Sequence, residues 1–133
     1  MIKNGIDIVK IEKVKKMLDK SNTFVETLLT KEEQNYYESK RTTVERQGVI
    51  PKQIQTLAGF FACKEAILKA FGIGVLNGVN FKEVEINHTA SGEPICNFYG
   101  KMKDLFDSLA VKSCAVSISH DGEYAIAICT IEI

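Results

Sequence analysis

The 133-residue sequence predicts an α+β fold, one antiparallel sheet packed on a single long central helix, in the order β-α-α-α-β-β-α-β-β. Three observations carry this expectation. The stretch FFACKEAILKAFG, from Phe60 to Gly72, is apolar nearly all the way round and ends in a glycine, as a core helix does. Beyond Gly74 the apolar spacing changes from helical to alternating. Asp121-Gly122 then separates two alternating runs and is the strongest hairpin signal in the chain.

Ile6, Ile8 and Val9 suggest a short first strand, with Asp7 pointing away from its neighbours. Ile11, Val14 and Leu18 recur at helical spacing, and Lys13, Lys16 and Lys20 share another face. Thr23-x-x-Glu26 and Thr30-x-x-Glu33 read as capping boxes, so one or two short helices cover about 24–39. Residues 40–52 are polar, contain a glycine and a proline, and read as a loop. The long helix is expected from about Gln53 to Phe71, with Gly72 in the C′ position. Phe81, Val84 and Ile86 alternate with Glu83 and Glu85, residues 90–94 turn the chain, and residues 95–99 return it. Residues 101–110 form a short helix; Cys114, Val116 and Ile118 begin the last pair of strands.

Length and composition fit one globular domain spanning 1–133, with 45% hydrophobic and 26% charged residues. No run approaches the roughly 18 apolar residues of a membrane span, and no signal segment is evident, which points to the cytosol. The four cysteines have no CxxC spacing and read as small buried hydrophobes. A formal net charge of zero argues against general nucleic-acid binding. Residues 1–20 nevertheless carry six lysines against Asp7, Glu12 and Asp19, a net of +3. Such a basic element is either a solvated face or a surface for an acidic partner.

Two carboxylates stand out. At 100° per residue, Ile54, Ala58, Phe61, Glu65 and Leu68 fall within about 80° of one another, which sets Glu65 in an apolar stripe. A carboxylate there must be paired, neutralised or metal-bound. Lys69, one turn on, offers an ion pair as the plain structural explanation. Asp7, framed by the apolar residues of GIDIV, is either a turn residue or a second oxygen ligand. Two carboxylates together with substrate phosphates make a typical Mg²⁺ site. His120 ends a strand and stands at a rim beside Ser119, which could contact a phosphate.

GIDIV, the run F-x-x-K-E-A-x-x-K-A-x-G-x-G (Phe61 to Gly74), the G-x-P turn (Gly92 to Pro94) and SISHD-x-x-YA-x-A resemble the holo-acyl-carrier-protein synthases. FVETLLTKEEQNYY is similar to that family's F-x-x-x-x-L-T-x-x-E stretch, and the resemblance spans nearly the whole chain in order. It implies transfer of 4′-phosphopantetheine from coenzyme A to a serine of apo-acyl carrier protein, Mg²⁺ as cofactor, and a homotrimer with coenzyme A at the subunit interfaces. It implies Asp7 and Glu65 as metal ligands, and Lys69 and Lys64 as phosphate-facing or charge-organising groups. It further implies Ser119, His120 and the Gly92–Pro94 turn as coenzyme A contacts, with the acidic carrier meeting the Lys13/Lys16/Lys20 face. Three features depart from the family pattern: Phe60 where an arginine often stands, a longer 40–52 loop, and Asp121 where a small hydroxyl residue is common. The alternative is a non-catalytic coenzyme A or nucleotide-binding oligomeric module.

Overall fold

The computed structural model describes every residue except 43, 45 and 75–77; residues 43 and 45 fall in the loop expected at 40–52. Its elements are β1 (Ile2–Lys10), α1 (Ile11–Lys20), α2 (Phe24–Leu28), α3 (Lys31–Ser39), α4 (Lys52–Ala70), β2 (Val84–His88), β3 (Pro94–Phe98), α5 (Gly100–Ser108), β4 (Ser113–Asp121) and β5 (Tyr124–Glu132). A single 3-10 turn at Phe81–Glu83 leads into β2. The α+β class is the one the sequence predicts, but four helices rather than three precede β2, because the segment 24–39 forms two helices, α2 and α3.

The antiparallel strands divide into two sheets: β1-β5-β4, with β5 central, and the hairpin β2-β3. The first strand is longer than expected because all nine of its residues pair with β5, from Ile2↔Glu132 to Lys10↔Tyr124. The last hairpin closes through Gly122 and Glu123, one residue later than the Asp-Gly signal suggests, with Asp121 still paired to Tyr124. Gly122 takes a φ of +56°, which a side chain would resist.

Helix ends explain the rest of the layout. Thr30 caps α3: its hydroxyl accepts from the Glu33 N–H while the Glu33 carboxylate accepts from the Thr30 N–H. Thr23 does not cap α2. Its backbone leaves the extended region that a cap needs, and its hydroxyl instead meets Ser21 Oγ at 3.1 Å. At the end of α4, Gly72 at φ +73° donates to the Lys69 carbonyl and Ile73 to the Leu68 carbonyl, the paired bonds of a Schellman close.

Helix α4 lies across β1 and β5 and is flanked by α1. Its buried residues include Leu57, Phe60, Ala62, Cys63, Ala66 and Ile67, which meet Ala125, Ala127, Cys129 and Ile131 from β5 in one core. The closest approach is at Gly5. A Cβ there would run into the Ala66 carbonyl oxygen and the Ala70 amide nitrogen of α4, so strand and helix touch backbone to backbone. That contact fixes which part of α4 faces Asp7, two residues further along β1.

Gly5→Ala is expected to lower unfolding free energy by about 1–3 kcal/mol or more, since the obstacle is backbone that cannot rotate away. Urea unfolding of the two proteins measures this; an unchanged midpoint would mean that strand and helix separate freely.

Candidate active site

The alternation of β1 turns Gly5, Asp7 and Val9 toward α4. The Asp7 side chain is only 16% exposed, and its Oδ1 lies 3.0 Å from Lys69 Nζ. Lys69 also donates to the Ile6 carbonyl at 2.9 Å. The ion pair that Lys69 makes is therefore with Asp7 across the interface, and not the i,i+4 pair with Glu65 that spacing alone suggested. Glu65 stands beside this pair, half-buried. Burial holds its carboxyl above the ordinary glutamate range, and the neighbouring Asp7 charge pushes it in the same direction; Lys69 and Lys13 pull the other way. Asp7, Glu65 and Lys69, expected as a catalytic group, are thus brought together.

The stripe assigned to Glu65 needs correcting. Ala58 and Leu68 are buried, but Ile54, Phe61 and Glu65 are only half covered, so Glu65 stands at the margin of the core. The charge that enters the core is Lys64, which has no exposed surface. Its ammonium donates to Glu33 Oε1 at 2.7 Å, to the Leu28 carbonyl at 2.7 Å and to the Phe81 carbonyl at 3.0 Å. Three donors meet three acceptors, which leaves no N–H for a phosphate. Lys64 is therefore not a coenzyme A contact; it ties α4 to α3, to the end of α2 and to the 3-10 turn. Burial lowers its pKa, and Glu33 opposes that shift. Glu33, buried and also accepting from the Ile86 N–H at 2.8 Å, is the residue that the sequence reading missed as a partner. Its signal was the capping box, which names its backbone duty but not the lysine 31 positions away.

On the other side of α4 a cleft of about 180 Å³ opens between α4, α3, β2, the 90–94 turn and β4. Gly92, Pro94 and His120 line it together, with Thr56, Gly59 and Phe60 from α4. A Cβ at Gly59 would stand 3.1 Å from the Ile118 side chain, so the glycine keeps this wall open. Phe60, in the position where the related pattern has arginine, is buried edge-on to Tyr36 and His88, whose own rings stack at 3.9 Å. Burial and then the Lys40 charge hold the His88 imidazole below its ordinary pKa. Ser119 does not join this group. Cys114, Val116, Ile118 and His120 share the helix-facing parity of β4, and Ser119 has the opposite parity, in register with exposed Ile126.

The carboxylates and the cleft lie on different sides of the chain. Gly59 and Glu65 are about 120° apart around α4. Asp7 and Ile118 both pair with Ala127, one from each side, and so sit two strand spacings apart, about 10 Å. Among the described residues no three His, Cys, Asp or Glu side chains form a metal-binding group, which leaves Asp7 and Glu65 as a two-carboxylate set.

Replacing Lys64 with methionine is expected to cost about 3–5 kcal/mol, because Glu33 would remain buried without its cation. Denaturant unfolding tests this, and Lys64→Met combined with Glu33→Gln should recover part of the loss. Glu65→Gln behaves oppositely. The folded pKa of Glu65 lies above the unfolded value of about 4.3, so its charge opposes folding increasingly as pH rises through that value. In chelator at neutral pH the variant should melt about one or two degrees higher, and the gain should vanish near pH 4. A variant that melts lower at neutral pH contradicts this placement of Glu65.

Residues 4–129 match the model of the 4′-phosphopantetheinyl transferase superfamily. A holo-[acyl-carrier-protein] synthase of Thermoanaerobacter sp. is 37% identical over 129 residues, covering 97% of this chain and 85% of the relative. The crystal structure of the holo-[acyl-carrier-protein] synthase from Neisseria meningitidis superposes with a TM-score of 0.84 at 26% identity, over 100% of both chains. A Bacillus anthracis holo-(acyl-carrier-protein) synthase in complex with CoA (3′,5′-ADP) gives a TM-score of 0.75 at 31% identity, over 98% of this chain and 95% of that one. By the family match over residues 4–129 and the 37% identity over nearly its full length, the chain belongs to the holo-[acyl-carrier-protein] synthase type of the 4′-phosphopantetheinyl transferase superfamily.

Proposed function

We propose that the protein, acting as one domain over 1–133, transfers the 4′-phosphopantetheine group of coenzyme A to a serine of an apo-acyl carrier protein and releases adenosine 3′,5′-bisphosphate. The observation that carries this reading is the approach of Asp7 and Glu65, two carboxylates of which Glu65 already resists ionisation, first through burial and then through the Asp7 charge. Two hard oxygen donors with surplus negative charge suit Mg²⁺, which completes its shell with phosphate oxygens and water. Bound there, the ion would supply charge stabilisation at the diphosphate that is attacked.

The chain's own residues account for the remaining steps. Lys69 spends two of its three donors on Asp7 and the Ile6 carbonyl, which aims the ammonium beside the carboxylates as a fixed positive charge for a phosphate. Glu65, with its raised proton affinity, is suited to take the proton of the attacking serine hydroxyl. Gly92, Pro94 and His120 in the cleft are the candidates for the nucleotide end of coenzyme A. The Bacillus anthracis structure with bound CoA (3′,5′-ADP) supports a nucleotide site in this fold.

The separation of cleft and carboxylates supports a site shared between copies of the chain, in keeping with a homotrimer. On the face of β1-β5-β4 away from α4, Ile6 pairs with Ile128 and Ile8 with Ile126. These isoleucines are 56%, 41%, 60% and 36% exposed, an apolar band that a neighbouring copy would cover. Lys13, Lys16 and Lys20 all stand exposed on α1 and offer the acidic carrier a positive surface. No described helix is long and apolar enough to cross a membrane, and a cytosolic location fits the four free thiols.

Incubation with coenzyme A, Mg²⁺ and an apo-carrier should add the mass of one phosphopantetheinyl group to the carrier. Glu65→Gln should lower the rate by about two to four orders of magnitude while coenzyme A still binds. Binding of coenzyme A by the wild-type protein with no mass gain on any carrier would select the non-catalytic module instead.

A further inference from the structure

Four cysteines from four elements converge between α4 and the strands: Cys63 from α4, Cys96 from β3, Cys114 from β4 and Cys129 from β5. All are free thiols. Cys114 Sγ lies 3.6 Å from Cys129 Sγ. Register explains the contact: Cys114 pairs with Ile131 and Val116 with Cys129, so the two cysteines are diagonal neighbours on one face of adjacent strands. Cys129 is fully buried, whereas Cys114 and Cys96 are partly exposed. Among the described residues these sulfurs do not form a metal-binding group, so bonding between thiols is the chemistry their placement favours.

We infer that Cys114 and Cys129 are a reversible disulfide-forming pair that reacts with hydroperoxides, with the half-exposed Cys114 as the point of attack. Hydrogen bonding with Cys129 and then with Cys96 holds the Cys114 thiol below the ordinary range, against the effect of burial. A Cys114 thiolate attacks one peroxide oxygen and breaks the O–O bond. That oxygen becomes the Cys114 sulfenic acid, and the other leaves as water after taking a proton. The Cys129 sulfur then attacks the Cys114 sulfur, forming the S–S bond and expelling the first oxygen as a second water. Two thiols lose two protons and two electrons, and one hydrogen peroxide becomes two waters. Closing the 3.6 Å contact to a bond of about 2.05 Å takes side-chain rotation and, for diagonal neighbours, movement of the two paired backbones toward each other. The thiols face α4, away from the isoleucine band, so an assembly through that band does not cover the partly exposed Cys114.

No lysine or arginine lies between Ser113 and Ile133, so trypsin releases Cys114 and Cys129 in one peptide, 113–133, and Cys96 in another, 83–101. The native protein is treated with hydrogen peroxide, the remaining thiols are alkylated, and the digest is weighed with and without dithiothreitol. Peptide 113–133 should lose two hydrogens and carry no alkyl group, and both alkylation sites should return after reduction. In Cys129→Ala the internal link should be absent and Cys114 should capture dimedone as a sulfenic acid; Cys114→Ala should show neither product. The inference is overturned if both thiols of 113–133 remain alkylatable, if that peptide is linked only to 83–101, or if Cys114 passes to an acid that dithiothreitol does not reverse. The wild-type digest decides among these even if a variant fails to fold.

Discussion

At Gly5 strand β1 rests on helix α4 with no side chain between them, and much of the molecule depends on that contact. Gly5 admits the backbone of Ala66 and Ala70 where any Cβ would collide. Once the two backbones touch, the register of β1 against α4 is set to within a fraction of a residue. Asp7, two positions on, then reaches Lys69, and its charge bears on Glu65. A looser packing would still bury the apolar residues, since hydrophobic burial is indifferent to such shifts. It would not hold two carboxylates and an ammonium in one place.

The molecule treats two neighbouring charges of α4, Lys64 and Glu65, in opposite ways. Lys64 and Glu33 are buried and fully partnered, each polar atom answered by the other or by backbone. Such a cluster specifies how α3, α4 and β2 meet and offers nothing to a ligand. Asp7 and Glu65 are less buried: Asp7 pairs with Lys69, while Lys69 and Lys13 oppose the burial and the Asp7 charge that act on Glu65. A glutamate held in this way is a local cost to folding at neutral pH, as expected where function and stability compete. Adjacent residues in one helix therefore do different work because they leave it about 100° apart.

Much of the fold is legible in the sequence because its signals are local. Periodicity reveals α4, Gly72 its end, Thr30 and Glu33 the start of α3, and Gly122 the last hairpin. What is not legible is which charge of FFACKEAILKAFG enters the core. Both Lys64 and Glu65 have apolar neighbours on a helix apolar nearly all round, and only Glu33, far away in sequence, decides between them. The Thr23 signal failed because a cap needs a backbone geometry that composition does not reveal. Ser119 is a different case. The alternation of Cys114, Val116 and Ile118 already assigns it to the opposite face from His120, and following that period alone would have separated the two.

The carboxylate pair is tested most directly by Mn²⁺, which takes oxygen ligands much as Mg²⁺ does and is visible by electron paramagnetic resonance. Titration in the presence of coenzyme A should show one tight site per chain in the wild type, weakened about tenfold or more in both Asp7→Asn and Glu65→Gln, and far less affected in Lys64→Arg wherever that variant folds. Equal Mn²⁺ affinity in the wild type and both carboxylate variants would contradict the assignment of Asp7 and Glu65 as the metal pair.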